Sequence, residues 1–208
     1  MAVGYRLIPL SCPACGAPLS ADSDDVVYYC TACKNGHLLE RATGELRPVP
    51  VSFLAAPGKA IARRLPFWLL PAEVELLERT TEGGGGFMRL FAATSDSGSN
   101  RLAVRFAVPA FAAPLSAAVE LAKRYTAQLS QGAPEGELLG EALMGGALRV
   151  EDAKKWAEFA LVATEIAKPD LLTQLRYRIA FGEARLLGVP FVGGPGALRD
   201  AFFGLPAA

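Results

Sequence analysis

Phe67-Trp68-Leu69-Leu70 places four large apolar side chains in a row, so no face of that stretch is left for solvent. Such a run suits a strand covered on both sides. Around it, residues 60–79 read as extended structure carrying Ile61, Leu65, Val74, Leu76 and Leu77. Pro66 and Pro71 cannot donate to a ladder, which predicts an edge strand or a bulge. A helix from Pro71 competes over 72–80, with proline at a suitable first position and Glu73 and Glu75 nearby. The strand is the preferred reading.

Further along, Leu102, Val104, Phe106 and Val108 alternate through 101–110, and 87–93 is a second strand candidate. With polar residues 95–100 as a turn, these segments predict an antiparallel meander. Apolar positions then return at helical spacing. One helix is expected over 115–131 and another over 151–168, stopped by Pro169, with Trp156 in the core. A shorter helix is expected within 135–145, before Gly145-Gly146. Residues 172–192 read as a hairpin turning near 181–183, and 196–203 as a short terminal helix. Mixed strands and segregated helices predict an α+β fold.

The first fifty residues follow another rule. Cys12-Pro-Ala-Cys15 and Cys30-Thr-Ala-Cys33 are two CxxC pairs separated by a segment with turn residues at 18–25 and a β-rich return at Val26-Val27-Tyr28-Tyr29. A CxxC turn converges two thiolates on one ion, and two such turns complete a tetrahedron. Cys12, Cys15, Cys30 and Cys33 are therefore the predicted metal ligands. Two disulfides would need an oxidising compartment, and a thioredoxin-type motif needs one pair in a βαβ setting. His37, the one histidine in the chain, lies four residues after Cys33 and could replace a cysteine ligand, but four cysteines already complete the shell.

Residues 8–47 resemble the zinc-ribbon (rubredoxin-like tetracysteine) family, on CPACG at 12–16 and CTACKNG at 30–36. The resemblance implies a three-stranded ribbon with all four cysteines on one structural zinc ion, and it implies no activity. Iron is the rival ion. Rubredoxins carry glycine where Lys34 stands, and a longer insert between the pairs. The predicted organisation is a ribbon over 1–47, a linker over 48–60 punctuated by Pro48, Pro50, Pro57 and Gly58, and an α+β domain over 61–208.

Charge narrows the function. Lys+Arg and Asp+Glu are each 21, so the net charge is zero, and neither sign dominates any third of the chain. Nucleic-acid binders rely on a basic surplus that is missing here. A nucleic-acid role would need Arg41, Arg47, Arg63 and Arg64 in one stripe. A 51% hydrophobic chain without net charge instead suggests a surface buried against a protein partner or a second copy. Candidate surfaces are Phe67-Trp68 and Phe202-Phe203 on the body, and Asp22, Asp24, Asp25, Tyr28 and His37 on the ribbon.

Other motifs carry less. Gly83–Gly86 lacks the lysine and following helix of a phosphate loop and reads as a hairpin tip. Arg105, Arg176 and Arg178 would cluster as an anion patch if their strands paired, against the plainer expectation of solvated residues paired with glutamates. A single histidine beside the cysteines leaves nothing for Ser–His or Cys–His catalysis. No apolar run is long and uncharged enough to span a membrane, and no secretory leader is visible. The sequence thus predicts a cytoplasmic, non-catalytic zinc-binding protein that works as an interaction or assembly subunit. A nucleic-acid-binding ribbon and an iron electron carrier are the alternatives.

Overall fold

The computed structural model describes residues 10–56, 58–82, 101–130, 135–136, 142–168, 171–194 and 196–207. The expected hairpin tip at 83–86, the strand at 87–93 and the turn at 95–100 lie outside them, as does most of the helix expected within 135–145. The α+β class holds, with two helices and two sheets among the described residues.

The small sheet has the order β1 (Val27–Tyr29), β2 (Gly36–Leu39), β3 (Leu46–Val49), all antiparallel. The large sheet is built on β5 (Arg63–Glu82), a strand of 20 residues. On one side β5 pairs β6 (Arg101–Pro109) from Phe67↔Pro109 to Glu75↔Arg101. On the other it pairs first β9 (Arg185–Val192) and then β8 (Leu171–Phe181). β4 (Val51–Leu54) runs parallel to β9, followed by β7 (Glu135–Gly136). β10 (Arg199–Asp200) pairs β9.

Segment 172–192 is therefore no hairpin. β8 and β9 lie end to end along one side of β5. Phe181 faces Ala72 and Arg185 faces Leu69, so three residues, 182–184, span the place of two on β5. That is a β-bulge. It falls opposite Pro71, which has no N–H to offer, while the Gly182 N–H donates to the Pro71 carbonyl at 2.7 Å. The bulge predicted from the prolines is present. The edge position is not, because β5 has neighbours on both sides.

Alternation along β5 divides the core in two. Trp68, Leu70, Ala72 and Val74 point to one face, where α2 (Val150–Ile166) lays down Val150, Ala153, Ala157 and Leu161. Leu65, Phe67 and Leu69 point to the other, under Leu121, Tyr125 and Leu129 of α1 (Leu115–Ser130). The two helices serve opposite faces of β5 and meet each other beside β6, and Phe67 to Leu70 are buried on both sides as expected. Phe67 and Trp68 consequently offer nothing to a partner.

The small sheet joins the α2 face. Val27, Tyr29, Leu38 and Val49 lie in the same apolar cluster as Phe53, Trp68 and Leu186. Gly146 sits at the seam. Its carbonyl accepts N–H bonds from Val26 at 2.7 Å and Val27 at 2.9 Å, and its own N–H donates to Val27 at 3.0 Å. Arg149 adds a bond to the Leu39 carbonyl at 2.6 Å.

The chain end departs from the expected helix at 196–203. Gly193, Gly196 and Gly204 all have positive φ, and 199–200 is a strand. Buried Asp200 accepts N–H bonds from Phe202, Phe203 and Leu205 and the Tyr125 hydroxyl at 2.9 Å. That side-chain-capped turn seats the segment over the α1 face.

Candidate metal centre

The two CxxC turns have the same backbone. In the first, Gly16 N–H donates to the Cys12 carbonyl and Cys12 N–H to the Ala17 carbonyl, both at 2.8 Å. In the second, Lys34 N–H donates to Cys30 at 2.8 Å and Cys30 N–H to Asn35 at 2.9 Å. The residue after each pair turns left-handed, Gly16 at φ 73° and Lys34 at φ 64°. Glycine adopts this freely. Lysine does so at a penalty of about 1–2 kcal/mol, so the second turn is held by its surroundings and not by its own preference.

These turns bring all four sulfurs together. The Sγ atoms of Cys12, Cys15, Cys30 and Cys33 lie within 4.8 Å of one another. Cys12–Cys33 and Cys15–Cys30, each spanning the two turns, approach to 3.5 Å. A tetrahedron with metal–sulfur bonds near 2.3 Å has sulfur–sulfur edges of about 3.8 Å. The cluster therefore has the size of a four-thiolate metal site. Cys12 and Cys30 are buried, Cys33 is half-buried and Cys15 is exposed. Leu19 and Tyr28 pack against the buried pair.

Hydrogen bonds divide the thiols unequally. The Ala17 N–H lowers Cys15, but Cys30, desolvation and the other two thiols together push it up to about 12. Cys30 is desolvated, yet N–H groups of Cys33 and Ala32 and bonds from Cys15 and Cys33 draw it down to about 7.

The chain matches no family model, no curated protein and no solved structure. The site accordingly stands on its own geometry.

His37 and Tyr28 are placed differently from expectation. They face each other across β1 and β2, and both are buried, so neither is a recognition residue. His37 instead puts Nε2 at 3.3 Å from Cys12 Sγ, and burial pushes its pKa down. It stands behind the ligand and outside the four-sulfur cluster. Its signal in the sequence was its place in a short strand beside the second CxxC. Asn35 Nδ2 contacts Cys33 Sγ at 3.4 Å, a contact that sequence reasoning missed. Asp22 and Asp24 are exposed and Asp25 is half-buried.

The arginines form no single patch. β6 and β8 flank β5 from opposite sides, so Arg101 bonds Glu73 and Glu75, Arg178 bonds Glu75 and Arg176 bonds Glu78. Exposed pairs of this kind contribute about 0–1 kcal/mol each. Burial and the nearby Arg185 lower the pKa of Arg105. Arg64 is buried with Nη1 on the Leu54 carbonyl, and Arg47 pairs Glu40. Burial withholds Arg64 from the stripe that a nucleic-acid ribbon would need. No helix among the described residues is long and apolar enough to cross a membrane.

Proposed function

We propose that Cys12, Cys15, Cys30 and Cys33 hold one structural zinc ion and that the protein is a non-catalytic binding or assembly subunit of a reducing compartment such as the cytoplasm. The observation that carries this reading is the clustering of four sulfurs within 4.8 Å. When bound, zinc supplies folding energy and no reaction chemistry, since four thiolates leave no open position. The chain's own residues do the rest. The paired turns orient the sulfurs, backbone N–H groups offset their charge, and Val27, Tyr29, Leu38 and Val49 carry the ribbon into the core of the body. A ribbon of this size buries too little to fold alone.

Support for a binding role comes from the surface. Phe159 and Ile166 on α2 are 51% and 62% exposed, and Leu171 at the start of β8 is 63% exposed. Together with zero net charge, that favours a protein partner or a second copy.

Elemental analysis of the native chain tests the metal: one zinc per chain is expected. Removal by a strong chelator should change the emission of Trp68, which shares its cluster with the ribbon. A metal-free native protein, or one carrying two disulfides, refutes the reading. Iron would colour the protein red and replace the structural role with an electron-carrying one. Light scattering and co-purification test the partner; a lone monomer counts against it.

A further inference from the structure

We propose that Cys15 is the position at which solvent-borne electrophiles and peroxide modify this chain, with Cys30 as its disulfide partner. The proposal rests on the zinc reading above and adds a reaction to it.

Access separates the four thiolates first. Cys15 alone of the four is exposed, so a reagent from solvent meets its sulfur before any other. Side-chain contacts separate them again. His37 Nε2 stands at 3.3 Å from Cys12 Sγ, and Asn35 Nδ2 at 3.4 Å from Cys33 Sγ. Hydrogen bonds to a thiolate lower its nucleophilicity. Cys30 receives N–H groups from Ala32 and Cys33, which fits a buried sulfur that need only reach its neighbour. Cys15 has the Ala17 N–H and open solvent.

The partner follows from distance. Cys30 Sγ lies 3.5 Å from Cys15 Sγ, across the two turns and not within one of them. With hydrogen peroxide as oxidant, the Cys15 thiolate attacks one peroxide oxygen. The O–O bond breaks, hydroxide leaves and a sulfenic acid forms. The Cys30 thiolate then attacks the Cys15 sulfur, the S–O bond breaks and a second hydroxide leaves with the disulfide formed. Two electrons pass from the two thiolates to peroxide. Zinc keeps its oxidation state and departs, because Cys12 and Cys33 alone cannot hold it. The new bond closes the hairpin that the metal had closed, so the ribbon keeps one staple while losing the other.

The test uses the full chain as purified. Elemental analysis comes first, then substoichiometric N-ethylmaleimide with peptide mapping. A parallel sample receives peroxide, non-reducing disulfide mapping and a chromophoric chelator. The expected result is first labelling at Cys15, a Cys15–Cys30 disulfide, and one zinc released per disulfide. First labelling at Cys12, Cys30 or Cys33, or a disulfide within either CxxC pair, overturns the proposal. A metal-free chain at the first step defeats the zinc reading itself, so the two failures are distinct.

Discussion

Replacing Gly146 with alanine should loosen the ribbon from the body. An ideal Cβ there would meet the Ala110 carbonyl at 2.9 Å, Pro66 Cγ at 3.1 Å and Ala110 Cβ at 3.3 Å. None of these is the free end of a flexible chain. The Ala110 carbonyl is fixed by the Leu148 N–H at 2.9 Å, and Pro66 belongs to β5, against β9. The seam must therefore open. Overpacking of this kind costs about 1–3 kcal/mol. The three hydrogen bonds between Gly146 and Val26–Val27, each contributing about 1 kcal/mol, would lengthen as well. Opposing this, alanine stiffens the unfolded chain and returns roughly 0.4–1 kcal/mol. The net expectation is a loss of about 2–3 kcal/mol, or roughly 4–12 °C in Tm for a chain of this size. Urea unfolding of the zinc-loaded chain, followed by tryptophan emission, measures it. Gly194→Ala is the control, because a Cβ there meets nothing within 4 Å. Equal stability of Gly146→Ala and wild type, within about 0.5 kcal/mol, would refute the seam as a close-packed junction.

Three further substitutions probe other parts of the fold. Glu165 is fully buried at the end of α2, taking Arg79 Nε at 3.1 Å and Lys168 Nζ at 2.6 Å; Glu165→Ala removes the carboxylate both cations face and should lower stability by about 3–5 kcal/mol in chemical denaturation, with a change under about 1 kcal/mol counting against a buried charge cluster. Lys34→Gly relieves the left-handed backbone at φ 64° and should raise the Tm of the zinc-loaded chain by the equivalent of about 1 kcal/mol; a drop would mean that the lysine side chain contributes more than the strain removes. Burial, then the charge and hydrogen bond of Asp200, push the Tyr125 hydroxyl well above its ordinary value of 10.0. A folded pKa above the unfolded one keeps its stabilisation intact below about pH 10 and loses it as pH rises further. Tyr125→Phe should thus be less stable at pH 7, by about 1–3 kcal/mol, yet show a flatter decline of Tm between pH 10 and 12; parallel declines would refute the assignment.

Periodicity and spacing made part of this molecule legible. Four large apolar residues in a row at 67–70 have no polar face, so any strand containing them must be covered twice, and β5 is. The apolar stripe ending at Pro169 gave α2, because proline cannot continue the ladder. Two CxxC pairs placed four sulfurs near one point through local turn geometry. Segment 172–192 reads as a hairpin because Phe181-Gly182-Glu183 resembles a turn; locally a bulge and a turn look alike, and only the partner strand distinguishes them. At 196–203, glycines with positive φ and the caps on Asp200 replaced the expected helix.

What the sequence by itself determined was therefore local or strictly periodic: the clustering of four cysteines, both helices, and the double burial of residues 67–70. Which strands pair, which charges neutralise one another and which side chains end up inside are long-range matters. Tyr28 and His37 lie in a segment that reads as a solvated hairpin, and they are buried because they face each other on the side of the ribbon where Cys12 and Leu19 pack. Arg176 and Arg178 read as a basic pair until β5 sets Glu75 and Glu78 beside them. Tertiary structure decided these points, because contact between residues far apart in the chain depends on the packing of every element between them and leaves no periodic trace in either segment.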